Sequence, residues 1–266
     1  MTPKKTSWGA VAEWYDDLLE EGADSYQKNV IMPNVIRILE PKKGMTVADI
    51  ACGQGYFSRA FASNGATVVA CDVSRELIDI AKGQGAKSLE LGGKSKEDGN
   101  AIEYHVASAD KLSFMADGTA DAATIILALQ NIENYSGALQ ECSRVLKTGG
   151  RLILVINHPA FRIPKSSSWQ WESEKEYRRI DAYMSDQTFK IDMTPGQKAE
   201  ASKKFTVSFH RPLQSYFKAL NKGGLAVTRF EEWISHKKSQ KGPHSAEEDR
   251  MRKEIPMFLC LEARKV

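Results

Sequence analysis

Residues 47–62, VADIACGQGYFSRAFA, combine a short apolar run, a loop with two glycines and a segment with helical spacing. The apolar run predicts a buried β-strand over 46–51, and the spacing after the loop predicts a helix over 56–63. Glycines between a strand and a helix let the backbone approach a ligand closely. Because ligands of open α/β sheets bind outside the carboxyl ends of the strands, this loop is the first candidate binding site.

Predicted strands and helices alternate on both sides of this stretch. Helices are predicted over 9–21, 26–40, 75–82 and 137–146, and further strands over 66–74, 102–108, 121–129 and 151–157. The helix over 137–146 should end on a glycine cap within Lys147–Gly150. The segment 83–100, rich in Gly, Lys and Ser, predicts a surface loop. This alternation is typical of right-handed βαβ units and a parallel sheet.

The last hundred residues are less regular. Periodicity weakens between 160 and 205, and then predicts a strand over 205–209, a helix over 213–220, and strands over 225–233 and 257–263 with a polar loop between them. We therefore expect a single domain over 1–266, with N-terminal lid helices over 1–40 and a cap insertion over 160–205. Trp169, Trp171 and Tyr183 in the insertion could wall an apolar substrate or anchor the cap to the core.

Composition and charge exclude several classes of protein. The net charge of +3 is small, and the densest basic stretch, at 236–241, is soon followed by acidic residues at 247–249. A broad basic face for nucleic acid is therefore not indicated. No apolar run is long enough to cross a membrane, and the N-terminus lacks a signal peptide's apolar core. The four cysteines form no CxxC pair, which predicts buried, reduced thiols in a cytoplasmic protein and no metal site.

Three carboxylates decide which ligand suits the glycine loop. The loop reads G-x-G-x-x-S over 53–58, which is close to a dinucleotide fingerprint. Asp49 would repel a pyrophosphate but suits the ammonium and sulfonium of S-adenosylmethionine. Asp72 and Asp110 follow at the ends of the next two strands. Asp72 could accept hydrogen bonds from both ribose hydroxyls, and Asp110 could accept one from the adenine amino group. Each aspartate could instead be only a helix cap or a turn residue.

The chain resembles the class I S-adenosylmethionine-dependent methyltransferases of the small-molecule branch, and is similar to those of ubiquinone and menaquinone biosynthesis. The resemblance covers about residues 8–157 and rests on VADIACGQGYFSRAFA (47–62), TVVACDVS (67–74), ASADKLSF (107–114), DAATIILALQNIEN (121–134) and SRVLKTGGRLILVIN (143–157). It implies a Rossmann-like α/β fold with a seven-stranded, mostly parallel sheet of order 3-2-1-4-5-7-6, the seventh strand being antiparallel. One departure is Ala51, where glycine is commoner; alanine fits there if its φ stays negative.

The same resemblance implies S-adenosylmethionine as cofactor, with S-adenosylhomocysteine as product, and a set of positions that hold it. The loop glycines would line the methionine moiety, Asp72 the ribose, Ala109–Asp110 the adenine, and Leu127–Gln130 would lie beside the sulfonium. Tyr15, in the segment A-x-x-Y-D, would fold over the cofactor, or it is one more core aromatic. The full predicted set is Tyr15, Asp49, Ala51, Gly53, Gly55, Asp72, Val73, Ala109, Asp110, Leu127 and Ala128.

The acceptor should enter above the ends of the fourth and fifth strands, because methyl transfer mainly requires that the acceptor be aligned with the methyl group. His158, just past a strand end, is the leading candidate for a general base or a substrate-orienting group. It could also simply bond a loop backbone. Arg162 or Arg211 could pair with a substrate carboxylate or with a surface acid. The predicted substrate residues are Gln130, Asn131, Asn157, His158, Arg162, His210, Arg211 and Tyr216.

The favoured function is methyl transfer to an O or N atom of a small-molecule acceptor. A methyltransferase of tRNA or protein is disfavoured, because the charge is modest and the fourth strand ends in Leu-Gln-Asn instead of an Asn-Pro-Pro-aromatic signature. A nicotinamide-dependent oxidoreductase is opposed by Asp49. A non-catalytic cofactor-binding module would use the same loop, so the sequence does not separate it from an enzyme.

Overall fold

The computed structural model describes residues 24–90, 102–193 and 204–266. The predicted helix over 9–21 and Tyr15 lie outside these ranges. The strands are β1 (Thr46–Ile50), β2 (Thr67–Asp72), β3 (Ile102–Val106), β4 (Ala120–Ile126), β5 (Leu146–Asn157), β6 (Ser167–Glu172), β7 (Lys175–Ile180), β8 (Gln187–Asp192), β9 (Phe205–His210), β10 (Leu225–Trp233) and β11 (Phe258–Lys265). The helices are α1 (Met32–Leu39, after a π-helical turn at Gln27–Ile31), α2 (Tyr56–Ser63), α3 (Arg75–Glu90), α4 (Tyr135–Val145), α5 (Leu213–Lys222) and α6 (Ser245–Glu254).

Seven strands form one sheet in the order β3-β2-β1-β4-β5-β11-β10. Strands β1 to β5 run parallel, and β11 is antiparallel to both of its neighbours. The predicted fold and strand order are thus confirmed, with β10 and β11 as the sixth and seventh strands. Phe258 pairs with Asn157 on one side and with Trp233 on the other. The start of β11 therefore lies at the same edge of the sheet as the ends of β5 and β10.

Helices cover both faces of the sheet, so the central strands read as continuous apolar runs. Alternate strand residues face opposite layers, because successive side chains of a strand point to opposite faces. Val47 packs in the layer of α1 and α2, whose Val35 and Phe61 are fully buried. Ala48 packs in the opposite layer with α4 and α5, which contribute Leu139 there. The core is therefore two apolar layers on one sheet.

Two hairpins occupy the region where the sequence showed little periodicity. β6 pairs with β7, and β8 with β9, both antiparallel; within the described ranges neither hairpin pairs with the main sheet. Most of their side chains are exposed or half-buried, so they lack a regular apolar pattern. Tyr183 anchors this region: its hydroxyl accepts from the Leu213 N–H (3.0 Å) and its carbonyl from His210 Nε2 (2.8 Å). Of its two roles considered from the sequence, anchoring is the one the structure shows.

Three local predictions are wrong. Helix α3 continues to Glu90, through a segment predicted to be a surface loop. The polar stretch before β11 contains α6, a charged helix in which only Met251 is buried, so it carries almost no apolar signal. Helix α4 ends at Val145 without a glycine cap, because Leu146 is already extended and fully buried as the first residue of β5.

The four cysteines agree with the prediction of reduced, mostly buried thiols. Cys71, Cys142 and Cys260 are buried, Cys52 is half-buried, and all four are free thiols. Burial raises the pKa of Cys71 and of Cys260 to about 12, so both stay protonated. None of the helices in the described ranges is both long and apolar enough to cross a membrane.

Ala51 corrects a backbone expectation. Its φ is +56°, in the left-handed region, and not negative as the sequence analysis assumed. Left-handed backbone costs a residue with a Cβ about 1–2 kcal/mol. The glycine that is commoner at this position would avoid that cost, so the alanine stores strain at the first turn of the loop.

We expect Ala51→Gly to stabilise the protein slightly. Relief of the left-handed strain exceeds the extra freedom that glycine gains in the unfolded chain, which leaves a net gain of roughly 0.5–1 kcal/mol in the free energy of unfolding. Denaturant titration measures it. As a matched control, Ala60→Gly inside α2 should lower stability by about 0.5–1 kcal/mol. A loss of stability at Ala51 as large as at Ala60 would contradict the strain.

Candidate functional site

The loops that follow β3, β2, β1 and β4 lie side by side at one edge of the sheet, because these parallel strands are neighbours in that order. Hydrogen bonds join the loop after β1 to the end of β2. The Gly53 N–H donates to Asp72 Oδ2 (3.0 Å), and the Cys52 N–H donates to the Cys71 carbonyl (2.9 Å). The predicted loop residues and Asp72 are thus parts of one connected site.

The glycine loop is shaped by left-handed backbone. Gly53 and Gly55 have φ of +60° and +78°, and Gly55 directly precedes α2. A Cβ at Gly55 would stand 2.4 Å from the Tyr104 hydroxyl, closer than any side chain can approach. The left-handed conformation therefore favours glycine there, and any larger residue would also have to displace the Tyr104 side chain. Tyr104 was missed by the sequence analysis, because a tyrosine inside a predicted strand looks like any core aromatic.

Asp49 is buried beneath the loop. Its Oδ2 accepts from the Ser58 hydroxyl (2.5 Å) and its Oδ1 from the Thr124 hydroxyl (2.7 Å). Burial raises the pKa of this carboxyl to about 6, and the charge of Asp72 adds to the rise. The group is therefore mostly ionised at pH 7. The partner Thr124 lies on β4, 75 residues away, and no local motif indicates it.

Asp72, at the end of β2, bonds two backbone N–H groups. It accepts from Gly53 (3.0 Å) and from Ser74 (2.9 Å). Burial raises its pKa, and these hydrogen bonds oppose the rise. Within the part of the chain that the structure describes, neither Asp72 nor Asp49 forms an ion pair. Two buried carboxylates without a cation give the site a negative potential that favours a positively charged ligand.

An apolar surface lies next to Asp72. Val73 is 44% exposed, and Val106, which pairs with Asp72 across the sheet at the end of β3, is 41% exposed. Ala109 is buried nearby in the loop after β3, and Asp110 accepts from the Ser108 hydroxyl and from Asn134 Nδ2. Exposed valines beside a carboxylate suit a flat apolar ring with polar edges. Val106 was not predicted, because exposure of a strand-end valine leaves no mark in the sequence.

The turn after β4 contains strained backbone and an unsatisfied acceptor. Leu127 has φ +53° and donates its N–H to the Val155 carbonyl (2.7 Å). A short 3-10 turn over Leu129–Asn131 begins just after Ala128. The Gln130 amide donates to the Leu127 carbonyl, while its Oε1 is buried without a partner among the described residues. Strain and an orphaned polar atom together are typical of a functional site.

His158 is buried, with both ring nitrogens engaged. Nδ1 lies 3.2 Å from the Ala160 N–H and accepts from it, so the ring proton is on Nε2, which donates to Glu232 (2.7 Å). Burial lowers the pKa of the imidazole although Glu232 favours its charged form. The imidazole therefore fixes the loop after β5 against β10. The lone pair of Nδ1 already accepts a hydrogen bond, so it is not available to take a proton from an acceptor.

Three of the predicted substrate residues do not lie at an open mouth. His210 and Arg211 are 5% exposed, and Tyr216 is 2% exposed in the core, edge-on to Tyr135. Arg211 donates to the carbonyls of Ile132 and Glu133, both at 3.0 Å. These side chains bond or pack against the protein itself, which corrects their expected placement. Arg211 thereby holds the end of β9 against the turn that follows β4.

Of the other five predicted substrate residues, Gln130 and His158 are buried, whereas Asn131, Asn157 and Arg162 are accessible. Asn157 is exposed at the end of β5, and Asn131 is half-buried in the turn after β4. Arg162 is half-buried in the loop after His158. No three His, Cys, Asp or Glu side chains in the described ranges come together as metal ligands would.

A methyltransferase-domain family matches residues 48–154, from β1 to within β5. The chain is 31% identical over 147 residues to a ubiquinone biosynthesis O-methyltransferase from Xanthomonas axonopodis pv. citri, covering 53% of this chain and 54% of the relative. It is 33% identical over 158 residues to a demethylmenaquinone methyltransferase from Paenarthrobacter aurescens, covering 58% and 55%. The chain thus spans about half the length of these relatives.

Solved structures share the fold over a larger share of the chain. An S-adenosylmethionine-dependent methyltransferase from Mesorhizobium loti superposes with a TM-score of 0.64 at 24% identity, covering 87% of this chain and 96% of that one. Another from Aquifex aeolicus gives a TM-score of 0.57 at 15% identity, covering 97% and 98%. At such identities the likeness concerns the fold.

Proposed function

We propose that the chain is a class I S-adenosylmethionine-dependent methyltransferase, which transfers a methyl group from S-adenosylmethionine to an oxygen or nitrogen atom of a small-molecule acceptor. The methyltransferase-domain match over residues 48–154 and the similarity to a ubiquinone biosynthesis O-methyltransferase support this proposal. The observation that carries the proposal is the pair of buried carboxylates, Asp49 and Asp72, without a cationic partner among the described residues. They favour a cofactor that has an ammonium and a sulfonium and no phosphate.

The residues at this edge fit that cofactor. The loop with Ala51, Gly53 and Gly55 leaves backbone free to approach the methionine end, above Asp49. Asp72 offers carboxylate oxygens to the ribose hydroxyls, and the exposed faces of Val73 and Val106 suit the adenine ring. Leu127, Ala128 and Gln130 lie at the end of β4, next to the methionine end, where the sulfur would be.

When bound, the cofactor supplies a methyl group on a positively charged sulfur, which keeps the electron pair of the broken C–S bond while the acceptor's lone pair forms the new bond. The chain itself has to align the acceptor and exclude water. Asn131 and Asn157 flank the space above β4 and β5 and offer amide groups for that alignment. The acceptor's proton passes to solvent or to a base that the acceptor carries near its reacting atom.

Two observations support a small acceptor. The two relatives reported above carry names from quinone biosynthesis, which concerns small molecules. The net charge of +3 and the mixed charges of the chain do not provide the basic face that a nucleic acid requires.

Calorimetry with S-adenosylmethionine, S-adenosylhomocysteine and NADH tests the proposal. We expect both sulfur nucleotides to bind and NADH not to bind. Binding of NADH alone would replace the proposal with the oxidoreductase alternative. A methylation assay over a metabolite library, read by release of S-adenosylhomocysteine, then identifies the acceptor; binding without turnover on any acceptor would favour a non-catalytic module.

His158 is proposed as a positioning residue. We expect His158→Ala to lower kcat/KM for the acceptor at least tenfold, with nearly unchanged affinity for S-adenosylmethionine, because it releases the loop that includes Arg162. His158→Gln keeps an amide donor that can reach Glu232 and should recover most of the activity. The pH profile of kcat should be the same in His158→Gln and in the wild type; loss of a limb of that profile would show that the imidazole is a base after all. Full activity in His158→Ala would remove the residue from the mechanism.

A further inference from the structure

A cavity of about 250 Å³ lies at the end of β10 and the start of β11. Its walls include Arg162 from the loop after β5, Met257 directly before β11 and Ser235 just after β10. Because the ends of β5 and β10 and the start of β11 share one edge, the cavity lies at the same edge as the glycine loop. It is also bordered by the β6–β7 hairpin and by α6.

Arg162 is the unpaired cation of this cavity. Its Nε is buried without a hydrogen-bond partner, and within the described ranges it forms no ion pair with a carboxylate. Burial and the neighbouring charge of Arg252 lower its pKa, so its surroundings disfavour the charge it carries. The Nε of Arg252 is likewise buried without a hydrogen-bond partner among the described residues. Unlike Arg162, however, Arg252 has acidic neighbours on its own helix: Glu248 at 3.7 Å and Asp249 at 3.9 Å. The uncompensated charge therefore belongs to Arg162.

A second arginine increases this positive charge. Both guanidinium groups lie over the Trp169 ring: the guanidinium carbon of Arg162 is 5.9 Å from the ring centre and that of Arg178 is 4.9 Å from it. Arg178 donates to the Phe161 carbonyl and to the Ser167 hydroxyl, which are neutral groups. Burial and the charge of Arg162 lower the pKa of Arg178 to about 10. Two guanidinium groups close together without a carboxylate repel each other, which destabilises the folded protein. A bound anion would offset this repulsion.

The acidic side chains of the cavity do not remove this excess. Glu248 is already shared with Arg252. Glu176 is buried on β7, and burial together with the nearby Glu248 raises its pKa, so its surroundings weaken its negative charge. The positive charge of Arg162 thus faces the cavity with no carboxylate in contact among the described residues.

We propose that this cavity binds the carboxylate or phosphate group of the methyl acceptor, with Arg162 as its guanidinium partner and the rings of Trp169 and Tyr26 as flat walls. The inference rests on the proposed function, since it names the chemical class of that acceptor. Guanidinium binds both kinds of anion in a bidentate manner. The volume is below the range of drug-sized sites, so the cavity takes the anionic end of the acceptor and leaves the reacting atom outside.

Strand spacing gives the length of the acceptor. The cavity lies beside β11, two strands away from β4, and neighbouring strands are about 4.8 Å apart. The anionic group and the methylated atom should therefore be separated by roughly 10 Å. An aromatic acid whose reacting hydroxyl or amine lies at the far end, through a ring and a short side chain, has this shape.

Titration of small anions tests the cavity without knowledge of the acceptor. Benzoate and phenyl phosphate are the probes, benzamide is the uncharged match, and calorimetry at low salt is the readout. We expect the wild type to bind both anions at least tenfold more tightly than benzamide. The tighter of the two anions indicates whether the acceptor carries a carboxylate or a phosphate. Arg162→Met should lose at least tenfold in affinity for the anions, and Arg162→Lys should fall in between because it keeps the charge but not the fork.

Arg179→Met is the matched control, since it removes the same charge from an exposed position on the same hairpin. It should bind the anions as the wild type does. All variants should keep wild-type affinity for S-adenosylmethionine. Equal affinity of wild type and Arg162→Met for benzoate and phenyl phosphate would overturn the anion site, as would loss of S-adenosylmethionine binding in Arg162→Met. If the wild type bound anions through Arg162 but bound no sulfur nucleotide, the anion site would stand and the methyltransferase proposal would fail.

Discussion

Asp72→Ala is expected to weaken the binding of S-adenosylmethionine by roughly 10- to 100-fold, the range for one or two charge-assisted hydrogen bonds. The substitution removes the proposed hydrogen-bond acceptor for the ribose hydroxyls. It also frees the Gly53 N–H, which Asp72 now holds at 3.0 Å, so the loop itself loses an anchor. Calorimetry with S-adenosylmethionine and with S-adenosylhomocysteine measures the loss, which should be similar for both because both carry the ribose.

Two further variants separate these effects. Asp72→Asn keeps one acceptor oxygen, so we expect a smaller loss than with alanine. Asp79→Ala removes an exposed carboxylate from α3 and should leave the affinity unchanged. Hydrogen exchange at the Gly53 amide reports the loop directly and should accelerate in Asp72→Ala. Wild-type affinity in Asp72→Ala would refute the ribose contact.

Asp49→Asn is expected to increase stability at neutral pH while it weakens cofactor binding. Burial raises the pKa of Asp49 to about 6, from an ordinary value of 3.8. The folded protein therefore binds this proton more tightly than the unfolded chain does, and the free energy of unfolding falls as pH rises from about 4 to 6. A shift of this size corresponds to roughly 3 kcal/mol. Asparagine resembles the protonated acid and does not undergo this loss.

The pH dependence makes the prediction specific. At pH 8 the variant should be more stable than the wild type by up to about 3 kcal/mol, and near pH 4 the two should converge. Urea denaturation between pH 4 and 8 measures both curves; parallel curves would contradict the buried, titrating carboxyl. Affinity of the wild type for S-adenosylmethionine should rise between pH 5 and 7 as Asp49 ionises, and that rise should be absent in Asp49→Asn. Asp79→Asn is the surface control for the loss of charge.

Local and periodic features of this fold could be predicted from the sequence. Helix α2 and strand β10 have the predicted bounds, because each has a strong period and clear end signals. The candidate cofactor site follows from strand ends, since parallel topology brings the loops after neighbouring strands together without further information.

Contacts between distant segments could not be predicted in this way. The bond from Thr124 to Asp49 and the contact of Tyr104 with Gly55 join residues that are about 50 to 75 positions apart. His158 was expected at a mouth because it follows a strand, but its neighbour Glu232 on β10 draws it into a buried hydrogen bond. Helix α6 could not be predicted because only Met251 of this helix is buried, so its sequence has no apolar periodicity.

The two hairpins, β6–β7 and β8–β9, are an insertion in the chain between strands of the main sheet. Within the described ranges these strands pair only with one another; the chain leaves the main sheet after β5 and rejoins it at β10, after α5. The hairpin that borders the proposed anion cavity is thus inserted between parts of the sheet, and it contains none of the residues proposed to bind the methyl donor. Substitutions in this insertion can therefore change the proposed acceptor pocket without altering the proposed donor site.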